Sequence, residues 1–272
     1  MKKKLILAAV MLLCICTVFT GCSDLTQLVD SQALTFSVDD GAATLKRVPD
    51  KSTVTEIFIP DEYEGKPVTK VADFAAVNLE FVTKIHIGKN VETIGEWAFE
   101  NNKNITAFEV DEENEHFCDV DGVLYTKDMK TLLFYPLARG VDKENGITYE
   151  VPDGVETLRT KAFYKCTNLK SVTLPDSLTS IEEKVFFRCS LTGIELPAKL
   201  EFIGKDAFSY CTDIKSVIIP ATVTQIGEYA FFNCTSVESV NVLAKQEEMT
   251  LGKKWYPTEN GREMSKLEIN WK

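Results

Sequence analysis

The chain has 272 residues, of which 30 are basic and 41 acidic, for a net charge of −11. That balance argues against nucleic acid or anionic lipid headgroups as partners, because both are recognised through a basic footprint. A hydrophobic share of 44% is enough for a sizeable core, and about 250 residues would ordinarily divide into two globular domains.

The first element is a basic head, Met1-Lys2-Lys3-Lys4, followed by an apolar run from Leu5 to Phe19. Fifteen residues suit the apolar region of a signal peptide and fall short of the roughly 20 that a membrane span needs. Thr20-Gly21-Cys22 places small residues before a cysteine and resembles a bacterial lipobox, although Phe19 stands where an aliphatic residue is usual. Residues 1–21 are therefore expected to be a lipoprotein signal peptide, with Cys22 the acylated residue. A plain secretory leader and an uncleaved anchor are the alternatives. Removing residues 1–21 takes away three lysines and no acids and leaves 27 basic against 41 acidic residues, a charge of −14. Residues 22–33 read as a short polar leash. The expected location is extracytoplasmic and surface-exposed, held to the bacterial cell membrane through lipid on Cys22.

Residues 34–66 read as an N-terminal cap rich in hairpins, with Asp39-Asp40-Gly41 as a turn. From 67 to 243 one unit repeats. Val91 to Phe99, Val155 to Phe163, Leu178 to Phe186, Leu200 to Phe208 and Val223 to Phe231 superpose, and a weaker copy begins at Val68 with Ala76 in place of Phe. The starts are 22 or 23 residues apart, except for a 64-residue gap between Val91 and Val155. A fixed period of 20–29 residues marks a solenoid of the leucine-rich kind. Each copy carries an alternating run that ends at proline, such as Val172-Thr173-Leu174-Pro175 or Val217-Ile218-Ile219-Pro220, and alternation at period two predicts a strand. A second short extended piece follows, Thr179-Ser180-Ile181 or Thr224-Gln225-Ile226. Gly95, Gly204 and Gly227 then mark a turn, and Ala-Phe-x-x-Cys-x-x-Leu predicts a short helical or 3₁₀ turn.

Residues 111–150 interrupt the series. Asp121 to Tyr125, a polar turn at Lys127 to Lys130, and Thr131 to Pro136 predict a β-hairpin within degenerate coils. Residues 244–272 lose the motif, gain Trp255, Tyr256 and Trp271, and are expected to cap the open end of the core.

Several residues invite a chemical reading. Cys166, Cys189, Cys211 and Cys234 each lie three positions after the repeat Phe. One thiol per coil gives a column, whereas zinc needs ligands converging on a point. The column reads as small buried side chains, with disulfides between coils as the alternative; Cys118 lies outside it. Asp119-Val120-Asp121 resembles the nucleophile motif of haloacid-dehalogenase-type phosphatases. It lacks the hydrophobic parallel strand before it and the alternating strands and helices such a site requires. The acidic run Asp111 to Glu115 lacks the glycine and distal glutamate of a calcium loop. No histidine-rich metal motif, nucleophile elbow or phosphate loop occurs, and neither cofactor nor metal is implied. Tyr164, Phe187 and Phe232 form a second column, read as packing between coils or as an aromatic binding stripe. The middle residues of the alternating runs should face outward in a file: His86, Glu109, Thr173, Glu195, Ile218 and Asn241, with Ser171, Gly193, Ser216 and Ser239 beside it. This polar, mildly acidic file is the candidate binding face.

Ile226-Gly227-Glu228-Tyr229-Ala230-Phe231-Phe232-Asn233-Cys234, with Val217-Ile218-Ile219-Pro220 before it, resembles the BspA-like leucine-rich repeat, and the likeness runs from about Leu34 to Val242. The resemblance implies a bacterial surface protein, and in some members adhesion to host matrix or to other microbes. The fold expected is a β-rich α/β solenoid with a repeat of about 23 residues and caps at both ends. The function expected is non-catalytic: a cell-surface lipoprotein presenting a binding face to an extracellular protein or glycan. The alternative is an accessory lipoprotein that scaffolds other envelope components.

Overall fold

The structure is a computed structural model that describes residues 34–49, 54–140 and 146–272. The expected signal peptide, Cys22 and the leash lie outside the described residues.

The repeats fold into three-sided coils. The alternating runs form a front sheet of parallel strands: Glu56–Ile59, Lys84–Ile87 and Ala107–Val110 in one group, Ile147–Glu150 and Leu169–Thr173 in a second, and Ser216–Ile219, Ser239–Val242 and Glu268–Trp271 in a third. Their burial alternates as the sequence requires, with Val217 and Ile219 inside and Ser216 and Ile218 outside. The second extended pieces form a back sheet. Thr157–Leu158, Ser180–Ile181, Phe202–Ile203, Gln225–Ile226 and Thr250–Leu251 pair in parallel, in unbroken register. Glycine follows three of these pieces because the coils approach closely there. A Cβ on Gly204 would lie 2.5 Å from the Glu182 carbonyl carbon.

The third side corrects the expected helical turn. No α-helix occurs among the described residues, and Gln246–Glu248 is a lone 3₁₀ segment, so the α/β description gives way to an all-β one. At the Ala-Phe turn the residue before Ala and the residue four positions on take left-handed backbone angles. Lys161 and Lys165, Lys184 and Arg188, Asp206 and Tyr210, and Tyr229 and Asn233 all have φ between 54° and 62°. The reversal turns alternate N–H groups toward the next coil. Lys161, Phe163 and Lys165 donate to the carbonyls of Glu183, Val185 and Phe187 at 2.9, 3.1 and 2.8 Å. A helix would have closed those bonds within its own turn. Here they join coils, so backbone pairing runs along all three sides.

Stacking places the repeat phenylalanines directly above one another. Tyr135, Phe163, Phe186, Phe208 and Phe231 follow with centroids 4.9, 5.1, 5.2 and 5.0 Å apart, near the spacing of adjacent strands. All five are buried, and each contributes roughly 1.5–3 kcal/mol by leaving water. Tyr135 shows that the interruption supplies a coil of its own, with Thr131–Phe134 paired in parallel to Thr157–Leu158.

The interruption also divides the core. Phe117–Val120, Val123–Thr126 and Thr131–Phe134 form an antiparallel meander. Successive side chains of a strand point to opposite faces, and both faces are used. Val123, Tyr125 and Leu132 enter the C-terminal core, while Leu124 and Leu133 enter the N-terminal one. Lys161 Nζ spans the junction to Glu100 Oε1 at 2.7 Å, and an Arg159 Nη2 donates to the Ile94 carbonyl at 3.0 Å.

The expected hairpins form at Asp40-Gly41, between Thr35–Asp39 and Ala42–Arg47, and between Val123–Thr126 and Thr131–Phe134. Two elements differ from expectation. Ile194-Glu195-Leu196 forms no strand: its coil is one residue shorter, Gly193 precedes it, and the Thr192 N–H to the Lys170 carbonyl, at 3.1 Å, is what remains of the ladder. The C-terminal stretch keeps the solenoid register. Thr250–Leu251 extends the back sheet, Glu268–Trp271 extends the front sheet, and Phe231 donates to the Trp255 carbonyl at 2.9 Å.

Candidate binding surfaces

The front sheet presents the predicted file, and the structure divides it. In the N-terminal stack His86 is enclosed. Its Nε2 lies 2.8 Å from Glu56 Oε2, its Nδ1 lies 2.9 Å from Glu109 Oε2, and its ring stacks on Phe58 with centroids 3.9 Å apart. Glu109 is also held by Lys84 at 2.5 Å, and this hydrogen bond raises the Lys84 ammonium above its ordinary range against the opposing effect of burial. His86 and Glu109 thus form an internally satisfied rung. In the C-terminal stack Thr173, Glu195 and Ile218 are exposed, and none has a side-chain hydrogen bond or ion pair among the described residues. Asn241 accepts from Asn270 Nδ2 at 3.0 Å, which carries the file one coil beyond the predicted six. Ile218 is 54% exposed, the most of any large apolar side chain among the described residues. Ser171, Ser216 and Ser239 line the file on one side, and a Cβ on Gly193 would meet nothing within 4 Å.

The turn face holds the aromatic column, with a member that the sequence pattern hides. Ser209 stands where Tyr164, Phe187 and Phe232 stand, and its hydroxyl is buried. Tyr210 fills the gap from the next position, 5.5 Å from Phe187 and 5.8 Å from Phe232. Cations lie on these rings: Lys161 over Trp97 and Tyr164 at 4.1 and 4.8 Å, Lys165 over Tyr164 at 4.7 Å, and Arg188 over Phe187 and Tyr210 at 5.5 and 4.9 Å. Asp206 is half-buried here, and burial pushes its carboxyl up against the pull of Lys184.

The cysteine column has a structural role that spacing alone did not reveal. The thiols of Cys189, Cys211 and Cys234 point at the carbonyls of Phe163, Phe186 and Phe208 in the preceding coil, at 3.0, 2.9 and 3.1 Å. Burial pushes the Cys234 thiol up to about 12 and raises those of Cys189 and Cys211 as well. In the coil of Phe99 the same position is Asn102, buried, whose Nδ2 donates to the Ala76 carbonyl at 2.6 Å. Asn114 is a second buried keystone. Its Oδ1 accepts from the N–H groups of His116 and Phe117, each at 2.8 Å, and its Nδ2 reaches the carbonyls of Gly88 and Val91 at 2.9 and 3.0 Å.

The residues that resemble a phosphatase motif serve the meander. Asp119 Oδ1 accepts the Val110 N–H at 2.8 Å, and Asp121 occupies a hairpin turn at φ 50° beside Gly122 at φ 78°. Asp119 lies on an antiparallel strand that leads into this turn, whereas a nucleophile would stand at the end of a parallel strand. Asp111, in the acidic run, accepts the Glu113 N–H at 2.8 Å. Among the described residues no three His, Cys, Asp or Glu side chains converge on a metal position, and no helix is long and apolar enough to cross a membrane. A depression of about 380 Å³ opens on the N-terminal hairpin, lined by Ser37, Asp39, Thr44, Lys46, Lys70 and Asp73, without histidine or cysteine.

Comparison with known proteins agrees with this architecture. No curated protein matches the chain. Among solved structures the fold is similar to that of the pneumococcal vaccine antigen PcpA, at 20% identity and a TM-score of 0.55, covering 80% of this chain and 68% of that one. It is also similar to a leucine-rich repeat protein from Eubacterium ventriosum, at 17% identity and a TM-score of 0.56, covering 84% and 83%. The family described as the BspA type leucine rich repeat region matches residues 50–119 and 143–252 in six copies. With a family match over more than half its length and the coils in register, the chain belongs to the BspA-type leucine-rich repeat family.

Proposed function

We propose that this chain is a non-catalytic binding protein of the bacterial cell surface, anchored by lipid on Cys22, and that it engages an extracellular protein through the front sheet of its C-terminal stack. The observation that carries this reading is the open file of Thr173, Glu195, Ile218 and Asn241, which runs along stacked coils with Glu195 at the gap between two groups of front strands. An exposed isoleucine among small polar side chains offers an apolar anchor with a polar surround, the arrangement in which binding energy concentrates at an interface. Solenoids sum many weak contacts over such extended faces. The rung of His86 and Glu109 is bound to its own neighbours and is peripheral to the site.

The test is a titration of the full-length chain against a panel of extracellular matrix proteins and neutral glycans. A protein ligand should lose about tenfold in affinity, or 1.4 kcal/mol, with Ile218→Asp and with Glu195→Lys, while circular dichroism stays unchanged. Unaltered affinity in both variants would refute the assignment of this face. The anchor has its own test: Cys22→Ala should abolish metabolic lipid labelling, and undiminished labelling would contradict it.

A further inference from the structure

We propose that the turn face of the C-terminal stack is a second binding surface and that its ligand is a uronate-bearing polysaccharide. This does not depend on the front-face assignment.

Along two columns of this face, flanked by Glu100, Glu183 and Glu228, the charge runs against that of the chain. The two columns, of left-handed residues, run along the turns of both stacks: Phe74, Trp97, Lys161, Lys184, Asp206, Tyr229 and Lys254 in one, and Asn78, Asn101, Lys165, Arg188, Tyr210 and Asn233 in the other, with all the charged members in the C-terminal stack. These 13 positions hold five cations and one carboxylate, in a chain with 41 acidic and 30 basic residues. Lys161 is occupied by Glu100, and Lys184 by Glu183 and Asp206. Lys165 and Arg188 have no carboxylate within 4 Å among the described residues, and their contacts are the rings beneath them. They lie on adjacent coils, since the Lys165 N–H bonds to the carbonyl of Phe187, the residue before Arg188. A cation on an aromatic face is held in place yet keeps N–H groups free for an anion. The two residues therefore form a pair of ring-seated cations on adjacent coils, Arg188 exposed and Lys165 half-buried.

The same geometry selects among anionic ligands. A peptide strand would need free backbone groups along an edge. Here the N–H groups of Lys165, Arg188 and Tyr210 are already bonded to the carbonyls of Phe187, Ser209 and Phe232. A neutral sugar would need open ring faces. Tyr164 and Phe187 stack on each other at 5.3 Å and 17°, and the cations cover what remains. What the face offers is two cations for carboxylates, ring edges for sugar C–H groups, and the phenol hydroxyls of Tyr164 and Tyr210, which have no partner among the described residues. Carboxylates on a polyhydroxylated chain match all three.

The experiment is calorimetric titration of the full-length chain with polygalacturonate and with hyaluronan, using dextran as an uncharged polymer and poly-glutamate as an acidic polypeptide. At least one uronate polymer should bind, dextran should not, and binding should weaken as salt shortens the screening length from about 10 Å at 0.1 M to about 3 Å at 1 M. The pair Lys165→Glu with Arg188→Glu should lower affinity by at least about tenfold with circular dichroism unchanged. The pair Lys165→Arg with Arg188→Lys should retain most of it. Lys199→Glu, a charge reversal at an exposed residue on neither face, should have no effect. Failure to bind either uronate polymer, equal binding to dextran or to poly-glutamate, or indifference to the charge-reversed pair in a folded chain would overturn the proposal. If the charge-reversed pair does not fold, loss of binding in the swapped pair would overturn it in turn.

Discussion

Asn102 gives the sharpest test of register between adjacent coils of the N-terminal stack. It is 2% exposed and makes three bonds: Oδ1 accepts the Leu79 N–H at 2.8 Å, and Nδ2 donates to Ala76 O at 2.6 Å and to Phe99 O at 2.9 Å. Replacing it with alanine strands the buried Leu79 N–H. An unsatisfied buried donor costs about 1–3 kcal/mol, and the vacated amide volume adds a cavity cost. The expected loss for Asn102→Ala is therefore about 3 kcal/mol, or roughly 6–12 °C in the midpoint of the affected transition. Asn102→Cys restores the solution used at Cys189, Cys211 and Cys234, a thiol donating to the preceding coil. It should recover part of the loss, while Leu79 remains unsatisfied. Asn102→Asp should be worst, because a buried carboxylate would face two carbonyl oxygens. Urea unfolding of the full-length chain reads all three. A loss below about 1 kcal/mol for alanine, or cysteine no better than alanine, would refute the claim that asparagine and cysteine occupy one position in the coil.

Three further outcomes follow from the packing. The buried thiols of Cys189, Cys211 and Cys234 should resist alkylation in the native chain and react after denaturation without reductant, as mass spectrometry would show; adducts that appear only after reduction would mean disulfides. Because burial raises the Cys234 thiol to about 12 from an ordinary value near 9, the unfolded chain loses that proton first. The contribution is full below pH about 9 and should fall away as pH rises toward about 12; a flat stability profile across that range in denaturant titrations would contradict it. Gly204→Ala should destabilise by about 1–3 kcal/mol through backbone overlap with Glu182, whereas Gly193→Ala, with open space around it, should be neutral or stabilise by up to about 1 kcal/mol; thermal melts that rank the two the other way would refute the close-approach argument.

The repeat itself was legible because its apolar positions return every 22 or 23 residues, and the burial of Val91, Val155, Leu178, Leu200 and Val223 follows that pattern. The turn was misjudged for a physical reason. Ala-Phe-x-x-Cys has acceptable helix propensity, and nothing in one coil announces that alternate N–H groups will be claimed by the next. A cue was present in Asn78, Asn101 and Asn233, since asparagine tolerates left-handed angles better than most residues. Asn102 escaped notice because cysteine and asparagine look unrelated until both are seen donating to the same carbonyl position. Tyr210 was hidden by Ser209, which breaks the column in sequence but not in space. On the candidate front face, the outward direction of each residue could be read from alternation. The isolation of His86 between Glu56 and Glu109 could not, because it depends on which runs become neighbours.

The central claim, that the front sheet of the C-terminal stack is the face that engages a protein ligand, is tested most directly by carboxyl footprinting of the ligand-bound chain with mass-spectrometric readout. Glu150 and Glu268 are exposed on front strands and Glu195 in the gap between them on the same face, whereas Glu156, Glu201 and Glu228 are exposed away from it. The account predicts that ligand protects the first three from modification and leaves the second three as reactive as in the free chain. Protection of Glu156, Glu201 or Glu228 with the front-sheet carboxylates unchanged would contradict it.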